Sequence, residues 1–584
     1  MSINVANPII KQIKDNRDAL DFFEKMSLPA EDEKTKEIIM KFPTVYIHNW
    51  QDSGDFEVYI GESNDIFKRT RQHYDAASDK EKWQSKLVEK DASLFIIGHE
   101  HFNKSLTLDI ENRLMHYMMS VDCVKHVHNL RDNPQTSYYP MEELDDIFGK
   151  IWRGLRKENK DLFPTESKIK DSAIYKASPL HKLTSEQEKA RELIIQKISK
   201  ALENDEKNQL VFIEGEAGTG KTVLNSSTFY ELYCQAEENN KKLDCHLLVN
   251  HDEQIIVYEQ IANKLGLTEK YGKIVSKPTN FINNHLSNNM VDVVFIDEAH
   301  LLLTQGKQSY RGENQLKDII DRAKVTVVMF DENQILTTEQ FWEAQILEQY
   351  RNQAKQSDNY IVLNKQLRMQ VNQETMDWID SFTKGGQLKK IPNVPDGYSI
   401  KIFDNPEKLD SEIKKRAKES GLELSRVIAT YDWEYSSINR PRDHLLKYWE
   451  VLIGKWHKPW NRELESELSR NEKREIRRLA WAEQPQTINE VGSTFTIQGF
   501  DLNYAGVILG PSVKYRNGKI VFDPSASHNE KAVRNRTLSD GTKQKFGATL
   551  IQHEVRVLMT RGVNGMYIYA CDSELRQALL EAAQ

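Results

Sequence analysis

The chain has 584 residues, which is too long for a single hydrophobic core and therefore predicts several domains. Hydrophobic residues make up 39% and charged residues 29% of the chain, as is typical of globular α/β or helical proteins. A net charge of −8 argues against a protein that coats nucleic acid over its whole surface, but not against one that confines positive charge to a channel.

The sequence also argues against a membrane or secreted protein. It has no run of 18 or more apolar residues, and its first residues lack the basic and apolar regions of a secretory signal. The four cysteines form no CxxC pair, which argues against a zinc site or a disulfide framework: Cys123, Cys234, Cys245 and Cys571. We therefore expect a cytoplasmic protein without membrane association.

The first 180 residues divide into three predicted segments. Residues 1–40 carry apolar residues at helical spacing and predict a short helical preface. Residues 41–135 alternate strand-like and helix-like runs and predict a compact α/β domain. Residues 136–180 hold several prolines between helical fragments, which favours a connector.

The α/β domain of residues 41–135 carries two tyrosines on neighbouring strand-like runs. These are Tyr46 and Tyr59, and a turn signal lies between the two runs. The helix predicted to follow would place Arg69 and His73 on one face, because they are four residues apart. Taken singly, each tyrosine is more often a core residue than a site residue in a small α/β domain.

This segment resembles a GIY-YIG endonuclease domain. Tyr59-Ile60-Gly61 matches the second half of the family name, whereas Val45 replaces the first glycine of the first half. The spacing from the second tyrosine to the helix arginine and the histidine that follows it supports the same resemblance.

The resemblance implies a site for cleaving phosphodiester bonds. Glu111, on a later helix, would bind Mg²⁺, and Asn129 would be the asparagine that follows this glutamate in the family pattern. Tyr46 or Tyr59 would activate or orient the attacking water, and Arg69 would stabilise the charge that builds on the phosphorane. A domain of this fold that has lost its activity is an alternative.

From residue 181 onwards, strand-like and helix-like runs alternate regularly and predict two α/β blocks, residues 181–395 and 396–584. Apolar runs predict buried parallel strands at residues 210–214, 246–250, 291–296, 325–330 and 426–430. The second block also contains a tryptophan-rich insertion, for which packing in a core is favoured over stacking on bases: Trp433, Trp449, Trp456, Trp460 and Trp481.

A phosphate-binding loop follows the first of these strands and precedes a helix-forming run. Its sequence matches GxxxxGK[ST]: Gly215-Glu216-Ala217-Gly218-Thr219-Gly220-Lys221-Thr222. The backbone N–H groups of such a loop cradle phosphates at a helix N-terminus. We expect Lys221 to reach the β- and γ-phosphates of ATP and Thr222 to ligate Mg²⁺.

Two adjacent carboxylates follow the strand predicted at residues 291–296. An acidic residue at the end of a parallel strand lies beside the phosphate loop in a doubly wound sheet. We expect Asp297 to hold Mg²⁺ and Glu298 to polarise the attacking water, because NTP hydrolysis divides these roles between two groups.

Five further segments complete a pattern in chain order: residues 183–187, 330–334, 367–369, 492–500 and 557–562. With the phosphate loop and the paired carboxylates, they resemble the motifs of superfamily-one helicases, and within that group those of the Schlafen-type helicase domains. The resemblance covers residues 180–575. It departs from the family pattern at Phe330, which replaces a glycine.

This resemblance assigns roles to residues outside the phosphate loop. Gln187 would read adenine, and Gln334 would sense the γ-phosphate. Arg368 and Arg561 would each supply an arginine to the phosphates, while residues 492–500 would couple ATP to the nucleic-acid strand. Because Arg561 lies far from the loop in sequence, it can act only when two lobes close on the nucleotide.

The predicted fold is therefore a multidomain α/β protein. A small GIY-YIG nuclease domain is followed by two RecA-like lobes, each with a doubly wound parallel sheet. The predicted function is an ATP-dependent helicase or translocase joined to a Mg²⁺-dependent endonuclease, acting on nucleic acid with DNA favoured over RNA. Such a fusion resembles bacterial defence proteins that cut phage or other foreign DNA.

Three alternatives stay open at this point. The same chemistry would serve a repair or recombination factor. ATP binding could instead switch the nuclease without translocation, and the nuclease fold could be an inactive binding module. The sequence leaves open whether the chain forms homo-oligomers or has a partner in a defence system.

Overall fold

The computed structural model describes residues 5–25, 33–79, 82–129, 138–306, 310–364, 369, 373–394, 397–419, 421–441, 446–477, 479–497 and 499–584. The chain forms two compact units. Unit 1 comprises Met1–Lys182 and Val257–Lys273, and unit 2 comprises Leu183–Ile256 and Ile274–Gln584. Within the part of the chain described, no helix combines the length and apolarity that crossing a membrane requires.

Unit 1 is built on a five-stranded sheet in the order β1-β4-β2-β3-β5. Its neighbouring strands are antiparallel except for β3 and β5, which are parallel. The strands are β1 (Ile9–Lys14), β2 (Thr44–Asp52), β3 (Asp55–Ser63), β4 (Ser93–Gly98) and β5 (Val124–His128). The helices are α1 (Arg17–Lys25), α2 (Glu33–Lys41), α3 (Ile66–Ala76), α4 (Ser85–Glu89), α5 (Lys104–Met119), α6 (Leu144–Glu158), α7 (Glu166–Asp171) and α8 (Ala173–Ala177).

The prediction of a wholly helical preface over residues 1–40 is wrong at its start. Strand β1 pairs antiparallel with β4, with Ile9 opposite Gly98 and Ile13 opposite Leu94. Ile9 and Ile13 pack into the core beneath one face of the sheet, whereas Ile10 lies against Gly154 of α6 on the other face. These branched residues therefore follow the two-residue period of a strand, which favours them, and not the helical period.

The segment predicted as a connector, residues 136–180, is instead part of unit 1. Helix α6 buries Ile147, Ile151 and Leu155, which are spaced four residues apart on one face. Trp152 of the same helix packs edge-on against the Tyr117 ring of α5 at a centroid distance of 4.9 Å. The apolar stripe of α6 thus stabilises the core of unit 1, which a solvated linker would not do.

Residues 257–273, predicted as part of the first RecA-like lobe, cluster with unit 1. Lys264 is buried and donates hydrogen bonds to the carbonyl oxygens of Met119 and Val121, at 2.9 and 2.7 Å. An ammonium group buried in this way needs several acceptors to offset its lost hydration. These two hydrogen bonds join the segment to the end of α5 and the residues after it.

The first half of unit 2 contains a six-stranded sheet in the order β11-β6-β10-β9-β7-β8, with all neighbours parallel. Its strands are β6 (Gln209–Gly215), β7 (Cys245–Val249), β8 (Val275–Ser276), β9 (Val291–Asp297), β10 (Ala323–Phe330) and β11 (Tyr360–Leu363). The helices of this part of the chain are α9 (Ser185–Glu203), α10 (Lys221–Glu238), α11 (Asp252–Lys264), α12 (Leu267–Tyr271), α13 (Pro278–Asn284), α14 (Gln315–Ile320), α15 (Ala344–Gln356) and α16 (Gln373–Thr383). Of these, α12 and the part of α11 from Val257 onwards belong to unit 1.

The second half of unit 2 contains a five-stranded parallel sheet in the order β12-β22-β17-β13-β16. Its strands and those of three small hairpins are β12 (Ser399–Ile402), β13 (Arg426–Ala429), β14 (Glu450–Ile453), β15 (Trp456–Pro459), β16 (Val491–Gly492), β17 (Leu502–Leu509), β18 (Val513–Arg516), β19 (Lys519–Phe522), β20 (Asn535–Thr537), β21 (Lys543–Lys545) and β22 (Gly562–Ala570). The helices are α17 (Pro406–Arg416), α18 (Arg470–Ile476), α19 (Thr494–Ile497), α20 (Glu530–Val533), α21 (Gly547–Met559) and α22 (Ser573–Ala582).

Two parallel sheets in unit 2 agree with the prediction of two α/β lobes, and the strands predicted from apolar runs are present. In the tryptophan-rich insertion, Trp460 and Trp481 are completely buried, which agrees with the favoured interpretation that its tryptophans pack in a core. Trp433, Trp449 and Trp456 are partly buried and pack against the same core. Trp460 and Trp481 therefore stabilise the second lobe, whereas the three partly buried rings keep some exposed surface.

Candidate functional sites

The phosphate loop joins the end of strand β6 to the start of helix α10. Helix α10 begins at Lys221, and its N-cap is Gly220, with a φ of 77°. Gly218 has a φ of 88°, so both glycines occupy the left-handed region that other residues disfavour. The loop thus has the strand–loop–helix setting that the sequence predicts, with backbone N–H groups at the start of a helix.

Lys221 is folded back onto the carbonyl groups of its own loop. Its Nζ donates hydrogen bonds to the carbonyl oxygens of Gly215 and Glu216, at 2.7 and 2.9 Å. It also lies 3.6 Å from Oδ2 of Asp331, and both side chains are buried. The ammonium group is therefore held inside the loop, at the position where the loop would receive an anion.

Asp331 remains ionised although it is buried. Burial opposes its ionisation, but Lys221, His300 and the Gln334 amide together hold the pKa of the carboxyl group below its usual value. The Gln334 side chain donates to Asp331 Oδ2 at 2.8 Å. The carboxylate thus joins the phosphate loop to the next predicted site residue.

Gln334 connects the two lobes of unit 2. Its Oε1 accepts a hydrogen bond of 2.9 Å from Nη2 of Arg561, which is fully buried. The other N–H groups of Arg561 donate to the carbonyl oxygens of Val557 and Phe500. A continuous set of contacts therefore runs from Lys221 through Asp331 and Gln334 to Arg561, and it joins the two lobes.

A second arginine of the second lobe reaches the phosphate loop, and sequence reasoning missed it. Arg556, on α21, donates to Oε2 of Glu216 at 2.7 Å and also pairs with Asp380. Lys384 contacts the same two carboxylates, at 2.9 and 3.2 Å. Arg556 lies only five residues before Arg561, on a largely apolar helix, and a charged residue at such a position is the signal that could have revealed it.

The two carboxylates predicted for hydrolysis lie at the end of strand β9. Asp297 is buried, and Glu298 has a φ of 49° in the left-handed region, which costs a residue with a side chain about 1–3 kcal/mol. Glu298 lies 3.3 Å from Nε2 of His300, and burial lowers the pKa of that imidazole. This strained backbone lies directly after the last residue of strand β9.

Glu298 also has a neighbour that contacts the second lobe. Oε1 of Glu298 lies 3.5 Å from Nε2 of Gln254, on α11. Gly499 belongs to the predicted coupling segment of residues 492–500, and a Cβ at this glycine would lie 2.6 Å from the same Gln254 nitrogen. The coupling segment therefore approaches the carboxylate through one amide side chain. Gln498 of this segment lies outside the described residues.

Gln187 is buried against the phosphate loop. Its Nε2 donates to the carbonyl oxygens of Thr219 and Gly220, both at 3.3 Å, and its Oε1 accepts from the backbone N–H of Thr184. The contact with Thr184 is part of the capping box at the N-terminus of α9. Reading of adenine by Gln187 stays a prediction, and Arg368 lies outside the described residues.

A cavity of about 460 Å³ opens beside the loop, within the range of small-molecule sites. Gly215, Thr219, Asp331 and Asp380 are among its lining residues. Thr222 is the second residue of α10 and is partly exposed, whereas Lys221, the first, is buried. Thr219, Asp331 and Asp380 thus bring a hydroxyl group and two carboxylates to this space. Oxygen donors of this kind suit Mg²⁺.

Unit 1 brings together the residues predicted for the nuclease site. Tyr46 of β2 lies opposite Gly61 of β3, and a Cβ at Gly61 would lie 2.5 Å from the Tyr46 hydroxyl oxygen. The tyrosine ring therefore packs directly on the backbone of β3. The Tyr46 and Tyr59 rings are 6.2 Å apart, and Tyr46 Oη lies 3.1 Å from Nε2 of His73.

Arg69 and His73 of α3 set the charge around the two tyrosines. Burial raises the pKa of Tyr46 and of Tyr59, and Arg69 opposes this shift at both hydroxyl groups. Burial, with His48 and Arg69, lowers the pKa of His73 to about 3. At neutral pH the site therefore holds a neutral imidazole, two protonated tyrosines and one guanidinium group.

Glu111 is held at the edge of the same site by Asn129. The Asn129 side chain donates to Glu111 Oε1 at 3.1 Å and to the carbonyl oxygen of Ile60 at 2.6 Å. Asn129 has a φ of 64°, which asparagine tolerates better than most residues. The Asn129 amide therefore links Glu111, which is the predicted metal ligand on α5, to the backbone of strand β3.

Trp83 is a further residue of this site that sequence reasoning missed. Its ring stacks on Tyr59 at a centroid distance of 4.0 Å and lies parallel to Trp50 at 6.0 Å. It follows α3 and precedes α4, in a stretch without a motif. Only its aromatic character, in a segment rich in lysine and aspartate, distinguishes it in the sequence.

The contact between Gly499 and Gln254 gives a first prediction. Gly499→Ala should lower the turnover number for ATP hydrolysis about 10- to 100-fold, because the new methyl group displaces Gln254 from Glu298. Steady-state ATPase assays with saturating nucleic acid would measure this.

Gly541→Ala is the matched control. Gly541 has a φ of 83°, close to the 85° of Gly499, but no atom lies within 4 Å of a Cβ added there. Both variants carry the same backbone strain, so thermal denaturation should show similar losses of stability. Equal ATPase rates in the two variants would show that the Gln254 contact has no role in hydrolysis.

The geometry agrees with comparisons to known proteins. Residues 208–572 match the family described as Schlafen group 3, DNA/RNA helicase domain. The uncharacterized protein YPL245W of Saccharomyces cerevisiae is 32% identical over 441 residues, which cover 69% of this chain and 91% of that protein.

Solved helicase structures show weaker likeness. The arterivirus nonstructural protein 10 helicase is 12% identical with a TM-score of 0.26, over 65% of this chain and 64% of that chain. The Pif1 helicase from Candida albicans is 15% identical with a TM-score of 0.19, over 40% and 54%. The match thus spans less than two thirds of either helicase chain. Because the family match covers more than half of the chain and includes the phosphate loop, the paired carboxylates and Arg561, the protein belongs to the Schlafen group 3 family of DNA/RNA helicase domains.

Proposed function

We propose that unit 2 hydrolyses ATP to move along or remodel nucleic acid, and that unit 1 is a Mg²⁺-dependent endonuclease joined to it. The proposal for unit 2 rests on the path of contacts from Lys221 through Asp331 and Gln334 to Arg561. It links the phosphate loop in one lobe to an arginine in the other. Such a link lets the state of the loop change how the lobes associate.

The residues around the loop fit ATP and Mg²⁺. The Thr222 hydroxyl and the Asp297 carboxylate are oxygen donors of the kind that Mg²⁺ prefers, and the loop amides suit phosphate. When bound, Mg²⁺ neutralises charge on the phosphate oxygens. Lys221 would leave the carbonyl oxygens of Gly215 and Glu216 to meet phosphate, and Glu298 would orient the attacking water.

The two arginines of the second lobe would complete this site. Arg561 is held by Gln334, and Arg556 is held by Glu216 in the phosphate loop. A guanidinium group is always charged and binds phosphate oxygens in pairs. We infer that at least one of them turns towards the phosphates as the lobes close, as Arg561 is expected to do by its resemblance to the last family motif.

A groove in unit 2 has the composition of a single-strand site. A cavity of about 780 Å³ is lined by Lys277, Arg462, Phe495 and Lys531, among others. A neighbouring cavity of about 1140 Å³ shares the last three residues and adds four more aromatic and basic side chains: Tyr431, Tyr435, Arg440 and Trp449. Basic groups bind the backbone of a strand and aromatic rings stack on its bases. We propose that nucleic acid lies here.

In unit 1, the cluster around Tyr46, Tyr59, Arg69 and Glu111 supports phosphodiester cleavage. Glu111 is the carboxylate that would hold Mg²⁺, and Asn129 fixes its direction. Arg69 would neutralise charge in the transition state, and one tyrosine hydroxyl would orient water. Tyr59 lies beneath Trp83, so Tyr46, hydrogen-bonded to His73, is the better placed of the two for proton transfer.

DNA is the substrate that we propose first, with ATP and Mg²⁺ as cofactors. Joining the two activities in one chain raises the local concentration of the nuclease at the strand that the motor handles. The relative in yeast favours a role that is not limited to defence against phage DNA, such as repair or recombination. An ATP-gated nuclease without translocation is the second candidate, because Glu298 already contacts the coupling segment through Gln254.

The ATPase assignment predicts two contrasting variants. Lys221→Ala should abolish nucleic-acid-stimulated ATP hydrolysis, since the Lys221 ammonium group binds two carbonyl oxygens of the loop and lies beside Asp331. Glu298→Gln should still bind ATP but should hydrolyse it at least about 100-fold more slowly. Equilibrium binding of a fluorescent ATP analogue and phosphate release would test both. Wild-type rates in both variants would refute the assignment.

The distinction between motor and switch follows from cleavage in the presence of ATP. A translocating protein should cut less beyond a protein roadblock on the strand, while its ATPase rate stays nearly unchanged. A gated nuclease should cut at full rate as Glu298→Gln with ATP, because that variant remains in the ATP-bound state. Loss of cleavage by this variant favours turnover-dependent action.

The nuclease assignment predicts that Glu111→Gln and Arg69→Ala each reduce Mg²⁺-dependent cleavage by about 100-fold or more. An amide lacks the charge that Glu111 would give to the metal ion. Both variants should keep wild-type ATPase rates, and Glu89→Gln, which changes a half-exposed carboxylate at the end of α4, should keep cleavage. Full cleavage by Glu111→Gln would mean that the metal ligand has been misassigned.

A further inference from the structure

Unit 1 contains a second group of metal-ligating side chains, apart from Glu111. Strands β3 and β5 are parallel neighbours, and their register places Glu57 opposite His126 and Tyr59 opposite His128. Residues two apart on a strand project from the same face, so both histidines lie on the face that carries Glu57. One ligand atom from each of the three residues lies within 4.8 Å of the other two.

The three side chains are already close to the arrangement that a bound ion requires. Nε2 of His128 lies 3.0 Å from Oε2 of Glu57. The His126 and His128 rings stack at a centroid distance of 4.1 Å with an angle of 11° between their planes. Three ligand atoms this close can converge on one ion by side-chain rotation, without movement of the strands.

The rings are held in place from both sides. The Trp50 ring lies 5.4 Å from the His128 ring at an angle of 28°. The His126 ring lies close to Gly266, because a Cβ added to this glycine would lie only 3.1 Å from Cε1 of His126. Neighbours this close limit the two imidazoles to small rotations, so they lose little side-chain entropy when they bind an ion.

The donor set identifies the class of ion. Two imidazole nitrogens and one carboxylate oxygen suit Zn²⁺ and similar divalent transition metals, whereas Mg²⁺ and Ca²⁺ prefer oxygen ligands alone. Three protein ligands leave a fourth position for water or another exchangeable group. This chemistry differs from that of Glu111 and Asn129, which offer only oxygen atoms to a metal ion.

We propose that Glu57, His126 and His128 form a binding site for one divalent transition metal ion, with Zn²⁺ as the representative ion. His128 directly precedes Asn129, whose amide holds Glu111. A bound ion would fix the end of β5 and with it the direction of Glu111. The site would therefore position the nuclease residue without contacting the substrate, and it does not depend on whether unit 1 cleaves nucleic acid.

The test uses the full-length protein, stripped with a chelator and then dialysed against micromolar Zn²⁺ or Co²⁺. Elemental analysis should give about one Zn²⁺ per chain, and Co²⁺ should give a visible absorption band typical of nitrogen and oxygen ligation in a four- or five-coordinate site. Glu57→Gln and His126→Asn should each weaken Zn²⁺ binding about 100-fold or more, because each removes a direct ligand.

Two control variants separate this site from others. His101→Asn removes a histidine that lies against Glu143 in unit 1, and Glu111→Gln removes the proposed Mg²⁺ ligand. Both should retain Zn²⁺ at the wild-type level, and circular dichroism should show that all four variants fold. Less than about a tenth of an ion per chain in the wild type would overturn the proposal. So would wild-type binding by both Glu57→Gln and His126→Asn.

Discussion

The ionised Asp331 in the interior of unit 2 is the constraint on which the nucleotide site depends. A buried carboxylate needs partners that replace its lost hydration, and here these are Lys221 and Gln334. Lys221 is also the residue that would bind phosphate. A nucleotide in the loop would therefore draw Lys221 from its present contacts and change the surroundings of Asp331. Gln334 forms hydrogen bonds with both Asp331 and Arg561, so such a change would alter the contact of Gln334 with the second lobe.

Helix α21 is the element that carries these contacts in the second lobe. Its His553 ring contacts the carbonyl oxygen of Ile335, Arg556 binds Glu216, and Arg561 follows its last turn to reach Gln334. Two of these contacts come from α21 itself and the third from a residue two positions after its end, so a displacement of the helix would act on all three. Loss of the Glu216 contact when phosphate enters the loop would thus tend to move the Arg561 contact as well.

Much of the fold follows from the sequence because its signals are local. The strand predicted at residues 291–296 is Val291–Asp297, since a buried parallel strand reads as a continuous apolar run. The glycines and Lys221 of the loop are fixed by a motif whose spacing has a mechanical cause. Strand β1 was mispredicted because its isoleucines suit both helix and strand over a few residues, and only pairing with β4 decides between them.

The site residues that the sequence did not reveal were missed for a different reason. Each of them acquires its role from a partner far away in the chain. Arg556 is defined by Glu216, 340 residues earlier, and Gln254 by Gly499. No spacing within a short window reports such pairs. The expected adenine-reading role of Gln187 shows the opposite case, in which a motif was found but the side chain is engaged in capping α9 and holding the loop.

In the sheet of unit 1, the strand register brings together candidate site residues that lie far apart in the sequence. Tyr46 lies opposite Gly61, Glu57 opposite His126, and Tyr59 opposite His128, so residues up to about 80 positions apart share one face. A shift of one residue in the β3–β5 register would turn both histidines away from Glu57. It would also move Asn129 away from Ile60 and Glu111. The register of this edge strand therefore determines the position of the Glu111 carboxylate in the proposed nuclease site. It also determines the geometry of the histidine cluster, so both sites depend on the same end of β5.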